Sequence, residues 1–125
     1  MKKIVRTDQG PAPVGPYNQA VIAGGFVFTA GQIAIVPASN EILTGGVAEQ
    51  TRQVMLNLKA ILEAAGSGLD KVVRTGVFLK DMNDFAAMNA VYAEFLSENS
   101  PARSTVEVSR LPKDVLVEID CVATV

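Results

Sequence analysis

The last apolar run of the chain constrains the fold more than any other segment. From Val115 onward, Val115, Val117, Ile119 and Cys121 alternate with Leu116, Glu118, Asp120 and Val122. A period of two belongs to a strand, and a face this uniformly apolar has to lie on a core. Two helical segments can cover it. Val47, Val54, Leu58, Ile61, Leu62 and Ala65 recur at helical spacing and predict a helix from about Gly46 to Ala65, with Thr44 as candidate cap and Gly66 just past the end. Phe85, Met88, Tyr92, Phe95 and Leu96 predict a second helix from about Asp84 to Ser97, capped by Asp81 or Asn83.

Strands surround these helices. Val21-Ile22 and Phe26 to Thr29, separated by Gly24-Gly25, read as a hairpin. Val72 to Lys80 reads as a strand with Val73, Thr75, Val77 and Leu79 on one face, and Ser104 to Ser109 as another. The proline- and glycine-rich stretch from Gly10 to Pro16 is a short ordered loop. The order is strands, helix, strand, helix, strands. The expected architecture is an α+β two-layer sandwich, a mixed β-sheet with both helices on one face, formed by residues 1–125 as a single domain. The other sheet face then stays open unless further subunits cover it.

Composition narrows the chemistry. The chain has 125 residues and no histidine. That excludes Ser-His and Cys-His dyads and every His-ligated metal site, so acid-base chemistry falls to carboxylates, Tyr, Lys or water. Cys121 is the only cysteine, which excludes an intrachain disulfide and a thiolate cluster. Net charge is −2 and no Lys/Arg cluster stands out beyond Lys2-Lys3, so the footprint of a nucleic-acid binder is missing. No window is apolar enough to span a membrane, and no apolar run follows Lys2 and Lys3. The expectation is a soluble, cytosolic protein.

Three residues break their local patterns. Asn89 falls within the apolar stripe of the second helix, where a buried amide needs partners, either a neighbouring loop or a ligand. Glu118 shares its strand face with Leu116 and Val122, which suggests that the face is partly covered. Arg103 opens the strand of Val106 and Val108. If the last two strands pair antiparallel and match apolar faces, Arg103, Thr105, Glu118 and Asp120 converge on the opposite face. A structural Arg-carboxylate pair explains that cluster on spacing alone, and spacing favours it over a ligand site.

Pro101-Ala102-Arg103-Ser104, continuing through Val106-Glu107-Val108 and Leu111-Pro112-Lys113 to Val117-Glu118-Ile119, resembles the C-terminal signature of the Rid family, also called YjgF, the reactive enamine/imine intermediate deaminases. Gly15-Pro16-Tyr17, Thr29-Ala30-Gly31-Gln32-Ile33, and Asn83-Asp84-Phe85 with Asn89 and Tyr92 resemble its other blocks, so the likeness runs over essentially the whole chain. The resemblance implies a chorismate-mutase-like fold and a homotrimer with clefts between subunits. It implies hydrolysis of 2-imino acids, such as 2-iminopropanoate and 2-iminobutanoate, to 2-keto acids and ammonia, without metal or organic cofactor. It implies that Arg103 grips the substrate carboxylate and Glu118 positions or activates water. Tyr17 and Asn89 would line the cleft, and Ala30, Gly31 and Thr105 would border the substrate, with Tyr17 or solvent as proton donor. Many members similar to this chain carry Ser at Ala30 and Cys at Thr105, so here a hydroxyl and a thiol are absent. Rival readings are a trimer that senses a carboxylate metabolite without turnover, and an endoribonuclease or translation inhibitor. The net charge and the lack of a basic patch count against the latter.

Overall fold

The computed structural model describes all 125 residues. Eight strands and two α-helices follow one another in the chain: β1 (Lys3–Val5), β2 (Ala20–Ala23), β3 (Phe26–Thr29), β4 (Ile35–Val36), β5 (Glu41–Ile42), α1 (Val47–Ala64), β6 (Val72–Leu79), α2 (Phe85–Leu96), β7 (Ala102–Glu107) and β8 (Val117–Thr124). Six strands form one mixed sheet in the order β1-β2-β3-β8-β6-β7, and β4 and β5 form a small ribbon. Both helices cover one face. Val54, Met55, Leu58, Ile61 and Leu62 of α1 and Met88, Tyr92 and Leu96 of α2 share one core with Val27, Val77, Leu79, Val117, Ile119 and Cys121 of the sheet. The α+β sandwich read from periodicity is the architecture found.

Strand pairing at the C-terminal end differs from expectation. β7 pairs not with β8 but with β6, in parallel, Thr75 opposite Arg103 and Val77 opposite Thr105. β8 is inserted between β3 and β6, antiparallel to both. The physical reason is the crossover: a parallel pair needs a long connection, and α2 supplies it between β6 and β7. Ladder partners share a face. Arg103 and Thr105 therefore point with Thr75 and Val77 toward the helices. Glu118 lies opposite Phe78 and Asp120 opposite Gly76, on the open face. The expected convergence of Arg103, Thr105, Glu118 and Asp120 does not occur within one protomer. The valines misled the assignment, since Val106 is 44% exposed on the open face.

Two smaller differences have local causes. The β6 ladder shifts register between Val72 and Arg74, so Val72 rather than Val73 joins Thr75, Val77 and Leu79 inside. Such a bulge breaks the two-residue period that the alternation assumed. The first helix is capped not by Thr44 but at Gly46, whose N–H donates to Glu49 Oε2 at 3.0 Å. The second helix is likewise capped by neither Asp81 nor Asn83. α2 starts after Asp84, which makes no side-chain cap bond, and Asp81 Oδ1 instead accepts from Asn83 N to cap the short 3-10 turn Met82–Asp84 that precedes it.

The uncovered face is apolar toward its β1–β3 end. Phe26 and Phe28 stand 40% and 43% exposed with ring centroids 6.4 Å apart, beside Ile4 and the half-buried Val21 and Val122. Arg74, Asp120 and Glu118 make the same face polar toward β6 and β8.

Candidate functional site

The sequence-identified residues fall into two half-sites on opposite faces of the sheet.

The first is a cleft of about 310 Å³ on the open side, bordered by the Pro11–Val14 loop, Tyr17, Ala30, Gly31, Ile33, Pro112 and Glu118. The strand geometry of β8 puts the Glu118 carboxyl here, against the backbone just beyond β3. Gln32 exchanges both backbone hydrogen bonds with Ile119, N–H to O at 2.8 and 3.1 Å. That pairing brings Gly31 directly beside Glu118, and a Cβ on Gly31 would overlap the carboxylate. Only glycine permits this approach. Burial pushes the Glu118 carboxyl above the usual range, and the neighbouring Asp120 charge adds to the shift. A carboxyl displaced toward neutrality can both take and return a proton. Tyr17 is 46% exposed at the rim, and its hydroxyl accepts from Val14 N at 3.2 Å.

The second half-site lies at the sheet edge under α2, a depression of about 500 Å³ bordered by Asn89, Tyr92, Leu96, Ser100, Pro101 and Arg103. The Arg103 guanidinium carbon sits 4.8 Å from the Tyr92 ring centroid and 5.5 Å from that of Phe85. Arg103 donates to Asn89 Oδ1 at 2.7 Å. The buried Tyr92 is itself fixed by a 2.7 Å hydrogen bond between its hydroxyl and Thr75 Oγ1. The three ion pairs of the protein are Arg52–Glu94, Lys59–Glu63 and Arg110–Asp114, so Arg103 has no carboxylate partner. The expected structural Arg-carboxylate pair is therefore not formed. An arginine held by stacking and one amide keeps most of its planar donor fork for an anion. Next to it, Thr105 Oγ1 is buried with no hydrogen-bond partner.

Asn89 thus resolves as a ligand of Arg103. The platform of Phe85 and Tyr92 escaped sequence reasoning, because an aromatic on a helical stripe looks like ordinary core. Cys121 is buried, which pushes its thiol up to about 11, and Thr29 Oγ1 lies 3.8 Å from its sulfur. No cluster of three or more Cys, Asp or Glu residues is arranged to hold a metal ion, and no helix is long and apolar enough to cross a membrane.

Two helices on a six-stranded mixed sheet, with an arginine free of any carboxylate partner at one edge and a raised carboxyl on the far face, define a small α+β protein. Residues 7–125 match the family described as endoribonuclease L-PSP. The chain is 63% identical over 123 residues to a RutC family protein of Synechocystis, covering 97% of this chain and 95% of that one. It is 48% identical over 126 residues to the 2-iminobutanoate/2-iminopropanoate deaminase of Escherichia coli, covering 98% of both. Its fold superposes on a crystal structure of Escherichia coli TdcF with bound serine at a TM-score of 0.93, with 44% identity and 98% of each chain covered. The chain belongs to the Rid (YjgF) family, also known by that L-PSP description.

Proposed function

We propose that this protein hydrolyses 2-imino acids such as 2-iminopropanoate and 2-iminobutanoate to 2-keto acids and ammonia, in clefts where Arg103 of one protomer meets Glu118 of the next in a homotrimer. The observation that carries the proposal is the unpaired Arg103, stacked on Phe85 and Tyr92 and bonded only to Asn89. Its natural complement is a small planar carboxylate. The relatives named as deaminase and as serine-bound TdcF support a ligand of that class.

The steps need only this chain's residues. Arg103 holds the carboxylate of R–C(=NH)–COO⁻ and fixes the C=N carbon in place. Glu118 orients a water and takes its proton as the oxygen attacks that carbon, giving a carbinolamine. In forming the carbinolamine the nitrogen gains a proton from Tyr17 or solvent. Glu118 then returns its proton to that nitrogen, and the hydroxyl gives its own proton back to Tyr17 or solvent as the C–N bond breaks and C=O forms. Ammonia and R–CO–COO⁻ leave. Imines hydrolyse unaided in water, so positioning and one proton shuttle suffice to lower a modest barrier. The backbone near Gly31 and Thr105 would border the ligand, Tyr17 and solvent are the candidate proton donors, and Ala30 would contribute an apolar wall. None of these steps calls for a metal or organic cofactor. Net charge −2 does not suit an RNA substrate.

The test generates 2-iminopropanoate in situ with a dehydratase and follows keto-acid and ammonia release, with and without prolonged chelation of the protein. Accelerated release, unaffected by chelation, is expected. No acceleration with the trimer intact would leave a binding protein in place of an enzyme.

A further inference from the structure

Gln19 is one of the residues lining the Glu118 cleft, and its hydrogen bonds reach both of the cleft's walls. It is 3% exposed. Its Nε2 donates to Thr7 O and to Pro11 O, each at 2.9 Å, and its Oε1 accepts from Thr7 N at 2.7 Å. Every one of these partners is backbone of the Thr7–Val14 segment, whose Pro11–Val14 part forms the outer cleft wall. Its own carbonyl accepts from Ala30 N at 2.8 Å, at the start of the Ala30-Gly31 stretch against which the Glu118 carboxyl packs.

The segment has little else to hold it. Between Thr7 and Pro16 the other polar contacts are Gln9 N with Thr7 Oγ1, Tyr17 N with Gly15 O, and Val14 N with Tyr17 OH. All of these join the segment to itself or to Tyr17, which follows it. Gly10 packs where a Cβ would come within 3.1 Å of Ile61 Cγ1 and 3.4 Å of Gln19 Nε2. The loop thus has an apolar seat on α1 and a polar anchor in one side chain. An amide is the one neutral group that can accept from an N–H and donate to two carbonyls at once.

We propose that Gln19 is a positioning residue that sets the width of the substrate cleft by fixing the Thr7–Val14 wall against the Ala30-Gly31 backbone. This rests on the deaminase reading for its substrate. Gln19 touches no reacting atom, so releasing it should weaken the hold on ligand and leave the chemical step nearly intact.

Gln19→Met keeps length and removes all three hydrogen bonds. Gln19→Glu keeps the acceptor but sets a carboxylate against two carbonyls, and it regains a donor only when protonated. Three measurements on the full-length wild type and both variants decide: amide hydrogen exchange at Thr7, calorimetric affinity for 2-oxobutanoate, and the separate kcat and KM for 2-iminobutanoate. In Gln19→Met the expected result is faster exchange at Thr7, with Kd and KM both raised about tenfold or more and kcat within about threefold, as lost uniform binding requires. Gln19→Glu should recover affinity as pH falls, a recovery that Met cannot show. Released Thr7 exchange with unchanged Kd and KM overturns the positioning role and makes Gln19 purely structural. Wild-type protein that binds 2-oxobutanoate but turns over no imine overturns the deaminase reading instead, and the Kd comparison still tests Gln19.

Discussion

Arg103 and Glu118 lie on strands separated only by β6, yet they project from opposite faces of the sheet. Arg103 shares its face with Thr75, under α2. Glu118 shares its own with Phe78, away from both helices. A single protomer cannot close a small ligand between them, so in the proposed deaminase site the two residues would come from different protomers. The apolar open face around Phe26 and Phe28 is where a second copy would pack.

Charge at that face is the first lever. A monomer would leave Ile4, Phe26 and Phe28 in water, and a contiguous exposed apolar patch marks an interface. Wild type should sediment as the proposed trimer, and Phe28→Glu as monomers, while helical content by circular dichroism is kept. A wild-type monomer at micromolar concentration contradicts the intersubunit site.

Arg103 should be the most sensitive position. Losing a desolvated, charge-assisted fork costs roughly 2–5 kcal/mol, so Arg103→Ala should lower kcat/KM by about tenfold at the least. Arg103→Lys keeps charge but loses the fork and the flat stack on Tyr92, and should fall between wild type and Ala. If Arg103→Ala stays folded, trimeric and fully active, the carboxylate-anchor role is wrong.

Gly31 should not tolerate a side chain. A Cβ there would push the Glu118 carboxylate out of its seat. Gly31→Ala is expected to reduce turnover sharply with little change in stability, because what yields is the end of the flexible Glu118 side chain and not backbone. Unchanged turnover, measured beside the melting temperature, would mean that the placement of Glu118 is not needed.

Glu118 predicts a pH signature of stability. Its carboxyl is raised in the folded state, first by burial and then by Asp120. The native state therefore favours the protonated form. The stability that form contributes is full below the unfolded value and is lost as pH rises through the folded one. Glu118→Gln carries no charge at any pH. Its melting temperature should gain on wild type as pH rises from about 4 toward neutrality, across the ordinary carboxyl range and the raised value above it. A constant difference over that window contradicts the shift. In turnover, Gln at this position should depress kcat more than KM.

Much of this was legible in the residues. Alternation at Val117, Ile119 and Cys121 and the helical spacing of Val54, Leu58 and Ile61 each point to one core, because both periods are fixed by backbone geometry. Arg103, Glu118 and Asn89 stood out as polar residues on largely apolar elements. Pairing was not legible, since the faces of β7 do not declare themselves. Val106 and Val108 look like core residues, but the β7 face turned toward the helices carries Arg103 and Thr105. Only the β6-α2-β7 crossover, a tertiary feature, settles which side faces the helices. Gln19 gave no signal, because its partners are backbone groups of a loop whose path the sequence does not dictate.

The central claim is that one site takes Arg103 from one protomer and Glu118 from its neighbour, and subunit mixing tests it most directly. Arg103→Ala and Glu118→Gln proteins, each nearly inactive alone, are combined in equal amounts, dissociated together and reassembled. In random trimers about one interface in four joins an intact Arg103 to an intact Glu118. Imine hydrolysis should therefore recover to about a quarter of the wild-type rate. Mixed trimers verified by mass spectrometry that stay as inactive as either parent would contradict a site shared between protomers.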